Sequence, residues 1–267
     1  MQTNTCRGKL ALAVTIFLAV PAVSSAQNIA LQQPGKRTAA DISVSVKPAP
    51  TKNSSSTIIS KNFLTGRFEP SRDTTFVKVS HRYTDRLVYL KKETYQAYIK
   101  MYDAALKQGI TLNIISGTRS FYDQHYKWDS KWYDGQFAGI KNEAAKGTQL
   151  LRWWSMPGTS RHHWGTDMDL TNLQLSYYQT AQGKKMYDWM VQNAASYGFY
   201  QPFNAGRTAG YQEEKWHWSY VPLSKIYLQE YLKQVTYADI NGFPGSPAAK
   251  QLDVINTRVL AINPDCK

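Results

Sequence analysis

Cysteine is scarce in this chain of 267 residues, and its two cysteines lie near opposite ends, at Cys6 and Cys266. Cys6 lies in an N-terminal segment that we expect to be removed, which leaves Cys266 alone. A mature chain with one cysteine has no internal disulfide, and this excludes a fold held together by disulfides. About 210 residues follow the low-complexity N-terminal part, which is enough for one sizeable packed core.

Long apolar runs are also missing. The apolar run at residues 10–20 is too short to span a bilayer, and no other stretch is long enough for a transmembrane helix. This run follows the positive charges of Arg7 and Lys9 and precedes small residues ending at Ala26. The pattern predicts a signal peptide at residues 1–26 and export to the periplasm or the extracellular space. An uncleaved membrane anchor is the alternative.

Acidic residues are few, with 19 Asp and Glu against 32 Lys and Arg, and the formal net charge is +13. Loss of Arg7 and Lys9 with the signal peptide lowers it to +11. This surplus suits a polyanionic surface such as a bacterial wall, although a merely solvated basic surface has the same composition. No basic run is dense enough to indicate nucleic-acid binding, and export argues against it. We expect a monomer with no nucleic-acid partner and no stable membrane insertion after signal cleavage.

The remaining chain divides by composition. Residues 27–60 are rich in Ser, Thr, Lys, Pro and Gln and are predicted to form a flexible linker. We expect the main folded domain at residues 61–235, with a C-terminal extension at residues 236–267 packed on it. The apolar spacing predicts helices over residues 90–108, 122–131, 184–197, 224–235 and 251–261, and strands over residues 110–115, 199–200 and 216–221.

Two separated clusters of residues carry metal-binding and acid–base groups. His162 and Asp169 lie seven residues apart with Gly165 between them, and a strand that bends at the glycine can bring both to one ion. His217 would complete the site from a distant strand. Nitrogen and oxygen ligands without a thiolate are typical of a catalytic rather than a structural zinc site. A catalytic zinc also needs a base near its open position, and this chain offers Glu214.

Glu214 lies three residues before His217 and is the predicted general base. Residues three apart on a straight strand point to opposite faces, so Glu214 must lie in the turn before the strand. Within the strand, Trp216 and Trp218 share one face, which we expect in the core, while His217 faces a cleft. The alternative for Glu214 is an exposed loop carboxylate paired with Lys215.

The combined pattern Ser160-x-His162-x-x-Gly165-x-x-x-Asp169 and Glu214-x-x-His217 resembles the VanY-like D-alanyl-D-alanine carboxypeptidases, zinc peptidases that cut peptidoglycan stem peptides. The resemblance extends approximately over residues 85–225 and includes Ser116-Gly117-Thr118-Arg119-Ser120. It implies an α+β fold, in which one small domain has a central antiparallel sheet flanked by helices and a zinc cleft on the sheet.

The resemblance also implies roles for individual residues. One zinc ion would be held by His162, Asp169 and His217. Glu214 would activate the water, and Arg119 would polarise the scissile carbonyl or hold a substrate carboxylate through its planar fork of donors. A structural salt bridge is the alternative for Arg119. The substrate would contact Ser116, Ser160 and Gln124.

Three features depart from the family pattern or leave a choice open. The family usually has small or apolar residues where this chain has Asp167, which we expect to change the affinity for the ion or to bind a substrate amine. The tandem histidines leave a choice of ligand, and the spacing to Asp169 favours His162 over His163. The aromatic-rich segment at residues 128–154 would either form a cleft wall or pack in the core.

The sequence therefore predicts a secreted zinc metallopeptidase acting on peptidoglycan stem peptides, with D-alanyl-D-alanine carboxypeptidase activity favoured. A D,D-dipeptidase and a peptidoglycan endopeptidase are alternatives within the family. A non-catalytic, zinc-containing module that binds the cell wall is the alternative from another class. The presence of both Glu214 and Arg119 argues against that module, because a pure binder has no need of either.

Overall fold

The computed structural model describes residues 58–267. The predicted signal peptide at residues 1–26 and nearly all of the predicted linker at residues 27–60 lie outside the described residues. Across the described part of the chain, no helix combines the length and the apolar character that crossing a membrane requires.

Six short strands form two antiparallel sheets within residues 58–267. Their bounds are β1 (Phe76–Lys78), β2 (Tyr89–Lys91), β3 (Ile114–Ser116), β4 (Asp167–Leu170), β5 (Phe199–Tyr200) and β6 (His217–Tyr220). β1 pairs with β2, and the other four form one sheet in the order β3-β4-β6-β5. The register places Asp169 opposite Ser116 on one side and opposite His217 on the other. This central antiparallel sheet, with helices around it, confirms the predicted α+β fold.

Six α-helices accompany the strands in the described part: α1 (Lys61–Leu64), α2 (Lys92–Leu106), α3 (Phe121–Trp132), α4 (Glu143–Leu150), α5 (Ala181–Asn193) and α6 (Val221–Gln234). The predicted helices over residues 90–108, 122–131, 184–197 and 224–235 are confirmed as α2, α3, α5 and α6, with shifts of a few residues at their ends. α4 was not predicted, because only two of its eight residues are buried and its apolar period is weak. α3 begins with a capping box, in which the Ser120 hydroxyl accepts from the Asp123 N–H and the Asp123 carboxylate accepts from the Ser120 N–H.

The strand predicted over residues 110–115 is shorter in the structure. Pairing begins only at Ile114, because the partner strand β4 ends at Leu170 and Thr171 then adopts a φ of 63°. The side chains of Ile110 and Leu112 are nevertheless buried. Their apolar character therefore reflects core packing of an extended segment rather than a longer ladder.

Two hydrophobic clusters enclose the central sheet and its surrounding helices. One cluster joins α2 and α5 to the side chains of Met168, Leu170 and Trp218 from the sheet. The other includes Trp128 from α3 and Tyr231 from α6. Residues 236–267 contribute to the second cluster through Ile240, Phe243, Val254, Val259, Ile262 and Cys266.

The helix predicted over residues 251–261 is reduced to a π-helical turn at Ile255–Val259. Asp253 has a φ of 48°, in the left-handed region, and a right-handed helix cannot continue through such a residue. The division of the chain into a domain at residues 61–235 and an extension at residues 236–267 stays a prediction.

Candidate active site

The three predicted metal ligands come from three short elements that meet at the central sheet. His162 lies in the 3-10 helix Arg161–Trp164, not on the bent strand expected from the sequence. Gly165 follows with a φ of 71° and leads the chain into β4, which carries Asp169. A Cβ at position 165 would also come within 2.3 Å of a neighbouring aromatic ring. Glycine is therefore required here by conformation and by space, and it sets His162 beside the β4–β6 pair that holds His217.

The donor atoms of these three residues converge. His162 Nε2 lies 3.4 Å from Asp169 Oδ1, and His217 Nδ1 lies 3.3 Å from the same oxygen. One ligand atom from each residue lies within 4.8 Å of the others, and all three residues are buried. His162 Nε2 and Asp169 Oδ1 have no hydrogen-bond partner among the described residues. Buried polar atoms are rarely left unpaired, so this group is suited to hold a metal ion.

Hydrogen bonds behind the two imidazoles fix which nitrogen faces the group. His162 Nδ1 lies 2.8 Å from the Gly117 carbonyl oxygen, which can only accept, so Nδ1 carries the proton and Nε2 has the lone pair. Burial and the positive charge of Arg119 lower the pKa of His162 to about 4, so this imidazole is neutral. On the other ligand, His217 Nε2 lies 2.9 Å from Asp167 Oδ2, and Nδ1 faces Asp169.

The pKa of His217 in the metal-free protein reflects its anionic neighbours. Burial alone would lower this pKa, but the hydrogen bond to Asp167 and the nearby carboxylates of Asp169 and Glu214 outweigh burial and raise it well above the usual 6.5. His217 is therefore protonated without a metal, and metal binding would release the proton on Nδ1, because only a deprotonated nitrogen can serve as a ligand.

Glu214 lies in the turn immediately before β6, the position expected from the strand geometry. Its Oε2 atom lies 3.4 Å from His217 Nδ1, and its side chain is buried and lines the cleft described below. Burial and the nearby Asp169 raise the pKa of Glu214, whereas His217 and Arg119 oppose the increase. A carboxylate with a raised pKa is suited to take up and return a proton.

Arg119 lies between β3 and α3, with its guanidinium held from behind. Its Nη1 donates to Gln124 Oε1 at 2.7 Å, and Gln124 Nε2 donates to the Ser155 carbonyl at 2.7 Å. Arg119 Nη2 lies 4.0 Å from Asp169 Oδ2, and Nε has no partner within the described part of the chain. Arg119 is thus a partly buried cation beside the ligand group, with donor capacity left for another molecule.

The three residues predicted to contact substrate do not line the cleft. Gln124 is buried behind Arg119, and its amide oxygen and nitrogen already bond to protein groups, so it positions Arg119. Ser116 is half-buried in β3, opposite Asp169. Ser160 is buried just before the 3-10 helix. Substrate-binding roles for these residues stay predictions.

The structure distinguishes the two tandem histidines. His163 is fully buried, and its Nε2 accepts from the Gly158 N–H at 3.0 Å while its Nδ1 lies 2.8 Å from the Arg119 carbonyl oxygen. Both nitrogens are therefore engaged by the main chain. Burial lowers the pKa of His163 to about 3, so it is neutral. Among the two, only His162 belongs to the group of converging donors.

A cleft of about 700 Å³ lies beside the ligand group. The residues lining it include Arg119, Lys127, Lys131, Trp153, Trp154, Asp169, Glu214 and Trp216. The aromatic-rich segment at residues 128–154 serves in both of the predicted ways, because Trp128 and Trp132 pack in the core while its last two tryptophans line the cleft.

The structure does not place Asp167 where the predicted contact with a substrate amine could form, because its side chain is buried away from the cleft. The carboxylate is fully buried, is not among the residues lining the cleft, and pairs with Arg161 and His217. The sequence alone could indicate that Asp167 lies on the same side of the strand as Asp169, because residues two apart on a strand share a face. The pairing with Arg161 depends on the turn at Gly165, which sequence spacing alone does not describe.

Comparison with known proteins identifies the family of the chain that carries this site. The family model of the VanY D-alanyl-D-alanine carboxypeptidases matches residues 87–223, about half of the chain, and this range contains every converging residue described above. The chain belongs to the VanY family. The match confirms the resemblance seen in the motifs and assigns the chain to a family of peptidases.

Two curated relatives agree with this family. The chain is 31% identical over 175 residues to the putative carboxypeptidase YodJ of Bacillus subtilis, covering 61% of this chain and 59% of YodJ. It is 29% identical over 142 residues to a D-alanyl-D-alanine carboxypeptidase of Enterococcus faecalis, covering 49% of this chain and 51% of the relative. The VanY-family chain thus spans less than two thirds of the length of each.

Solved structures with similar folds include VanYB in complex with D-alanine-D-alanine. Its sequence is 24% identical, the TM-score is 0.46, and the match covers 63% of this chain and 93% of the other. The LD-carboxypeptidase LdcB is also 24% identical, with a TM-score of 0.44, and the match covers 64% of this chain and 81% of LdcB.

Proposed function

We propose that this VanY-family protein is a secreted, zinc-dependent metallopeptidase that hydrolyses peptidoglycan stem peptides, and that it acts as a D-alanyl-D-alanine carboxypeptidase. The observation that carries the proposal is the group of three buried donors, His162, Asp169 and His217, beside Glu214 and Arg119. The signal peptide predicted at residues 1–26 supports action in the periplasm or outside the cell. D,D-dipeptidase and endopeptidase activity are the alternatives within the family.

Zinc suits the donor set. Two imidazole nitrogens and one carboxylate oxygen, with no thiolate, are typical of a catalytic zinc site that keeps a position for water. The atoms that would hold the ion are His162 Nε2, Asp169 Oδ1 and His217 Nδ1. When bound, zinc would supply Lewis acidity and lower the pKa of a coordinated water.

The chain's own residues would then manage the proton and the developing charge. Glu214, with its raised pKa, takes a proton from the attacking water and returns it to the leaving amine. Arg119 donates hydrogen bonds to the carbonyl oxygen as this oxygen becomes negative. The hydrogen bond to Gln124 already holds the Arg119 guanidinium in place. Little reorganisation of Arg119 is then needed during the reaction.

Cations in the cleft favour a carboxypeptidase over an endopeptidase. Lys127 and Lys131 lie one turn apart on α3 and line the same cleft as Arg119. Lys131 lies 3.8 Å from Asp134, whereas Lys127 forms no ion pair within residues 58–267. A cation free of internal partners is suited to a terminal carboxylate, which is the group that an exopeptidase must recognise. We assign this contact to Lys127.

Mass spectrometry of products from defined stem peptides tests the proposal. Zinc-loaded protein should release a single D-alanine from a peptide ending in D-Ala-D-Ala, and should leave the same peptide with a C-terminal amide nearly uncut. A released dipeptide or an internal cut would assign one of the alternative activities. Bound zinc without any product would favour the wall-binding module.

A substitution in the cleft sharpens the test. Lys127→Met should lower kcat/KM for the free acid about ten- to a hundredfold, the range for loss of one hydrogen bond between charged groups. The matched control is Lys131→Met, whose cation already has Asp134 as a partner. Equal losses in both variants would indicate a general effect of positive charge rather than a specific contact at Lys127.

A further inference from the structure

Asp167 lies against the edge of the His217 imidazole opposite to the predicted metal ligand atom. Its Oδ2 atom is 2.9 Å from His217 Nε2, whereas His217 Nδ1 faces Asp169. The carboxylate is fully buried. It therefore contacts the site only through His217.

Every other contact of this carboxylate is a hydrogen bond from a buried donor. Arg161 Nε donates to Oδ2 at 2.8 Å, and the hydroxyls of Thr166 and Ser219 donate to Oδ1 at 2.7 and 2.8 Å. Arg161 Nη2 also donates to Ser219 Oγ at 2.7 Å. Arg161 thus balances the charge of Asp167 and holds it in one orientation, away from solvent.

Such an arrangement is costly if its only purpose is stability. A buried ion pair must offset the desolvation of both charges, and apolar residues of similar size often stabilise a protein equally well. The feature that apolar residues cannot reproduce is the hydrogen bond to His217 Nε2. An ionised carboxylate accepts but does not donate, so Nε2 must carry a proton, and Nδ1 is the nitrogen that can present a lone pair to a metal ion.

We propose that Asp167 is the positioning residue for His217, holding the tautomer and the ring orientation that present Nδ1 to the metal. The inference rests on the proposed zinc function. The two imidazoles of the site are then supported unequally, because His162 donates to a main-chain carbonyl while His217 donates to a buried carboxylate. A carboxylate partner makes the imidazole a stronger ligand than a carbonyl partner does.

Zinc affinity and the His217 tautomer together test this role. Asp167→Ala should weaken zinc binding about 10- to 100-fold, the usual effect of losing such a partner, measured by competition with a chromophoric chelator. Asp167→Asn should weaken it less, since the amide oxygen can still accept from Nε2. The matched control is Thr166→Val, which removes one hydrogen bond to the same carboxylate but none to His217 and should change affinity less than twofold.

The charge left on Arg161 is a separate risk in the alanine variant. The double variant Arg161→Met with Asp167→Ala removes both charges and keeps a folded protein accessible to measurement. We expect it to show the same loss of zinc affinity. Nitrogen-15 NMR should show His217 as the Nε2–H tautomer in the zinc-loaded wild type and in Thr166→Val, and mixed tautomers in the Asp167 variants that cannot accept.

The outcomes separate this inference from the function on which it rests. Tight zinc binding by the wild type together with unchanged affinity in folded Asp167→Ala would overturn the positioning role alone. An Nδ1–H tautomer of His217 in the zinc-loaded wild type would do the same. A folded wild type that binds no zinc would overturn the proposed function and this inference with it.

Discussion

The two faces of the central strands β4 and β6 are equally shielded from solvent and are built from opposite chemistry. On one face, Met168 and Trp218 pack into the cluster that includes α2 and α5. On the other face, Asp167, Asp169 and His217 are buried just as deeply. The strand period of two residues separates the two sets within only four residues of each strand.

The difference shows how stability and chemistry are divided in this fold. The apolar face stabilises the fold by burial alone and needs no partner molecule. The polar face has to balance charge in a medium where unpaired charge is costly. Although burial raises the pKa of Asp169, its interactions with His162 and His217 outweigh burial and hold that pKa well below 3.8, so the buried carboxylate stays ionised. The polar face therefore keeps a charged oxygen among the donors that could hold a metal ion.

The largest expected effect is the loss of turnover when the predicted general base beside the polar face is replaced. Glu214→Ala should lower kcat by about 10²- to 10⁴-fold, the usual contribution of a general base, while zinc content stays at the wild-type level. The measurement is product release from a stem peptide together with metal analysis of the purified variant.

The neighbouring carboxylate provides the control for Glu214. Glu213 is only partly buried and does not line the cleft, so Glu213→Ala should keep nearly wild-type turnover. Wild-type activity in Glu214→Ala would contradict the assignment of Glu214 as the base.

A substitution on the apolar face should lower the stability of the fold and leave turnover nearly unchanged. Met168→Ala should lower the free energy of unfolding by about 2–5 kcal/mol, the range for truncating a buried methionine, because it leaves a cavity next to Leu170 and Trp218. Turnover per folded molecule should change little. Urea denaturation and activity at low temperature check the two halves of this prediction.

Met168→Leu is the control for cavity formation, since it conserves volume and should cost less than about 1.5 kcal/mol. A folded Met168→Ala protein that has lost zinc would show that the two faces are not independent.

The smallest effect should be the stabilisation of the polar face by its ion. At a zinc concentration 100 times the Kd, the wild type should gain about 2.7 kcal/mol of stability, seen as a melting temperature several degrees higher. His217→Ala should show no such rise, because it lacks one of three ligands. His81→Ala, which removes an exposed histidine, should respond like the wild type.

Residue chemistry made much of the site predictable. Histidines, a carboxylate and a glycine at fixed spacing are conspicuous in a sequence with only five histidines, and strand alternation correctly oriented His217 and Trp218 to opposite faces. The helices α2, α3, α5 and α6 were predictable because each repeats a buried stripe over three or more turns.

Features that depend on contacts distant in the sequence were not predictable. β1 and β2 have three residues each, and their pairing has no local signal. The 3-10 geometry around His162 and the approach of Arg161 to Asp167 depend on the turn at Gly165. The contact of Gln124 with Arg119 likewise has no local signal in the sequence.

Asp169 and His217 face each other directly across β4 and β6, although they lie far apart in the chain. A slip of one residue in this pairing would turn one of the two side chains onto the opposite face of the sheet. An ion held by both residues is compatible only with the native register. Metal binding in this fold would thus select chains with the native pairing of β4 and β6. A chain with a shifted register would not bring Asp169 and His217 together and could not bind the ion through both residues.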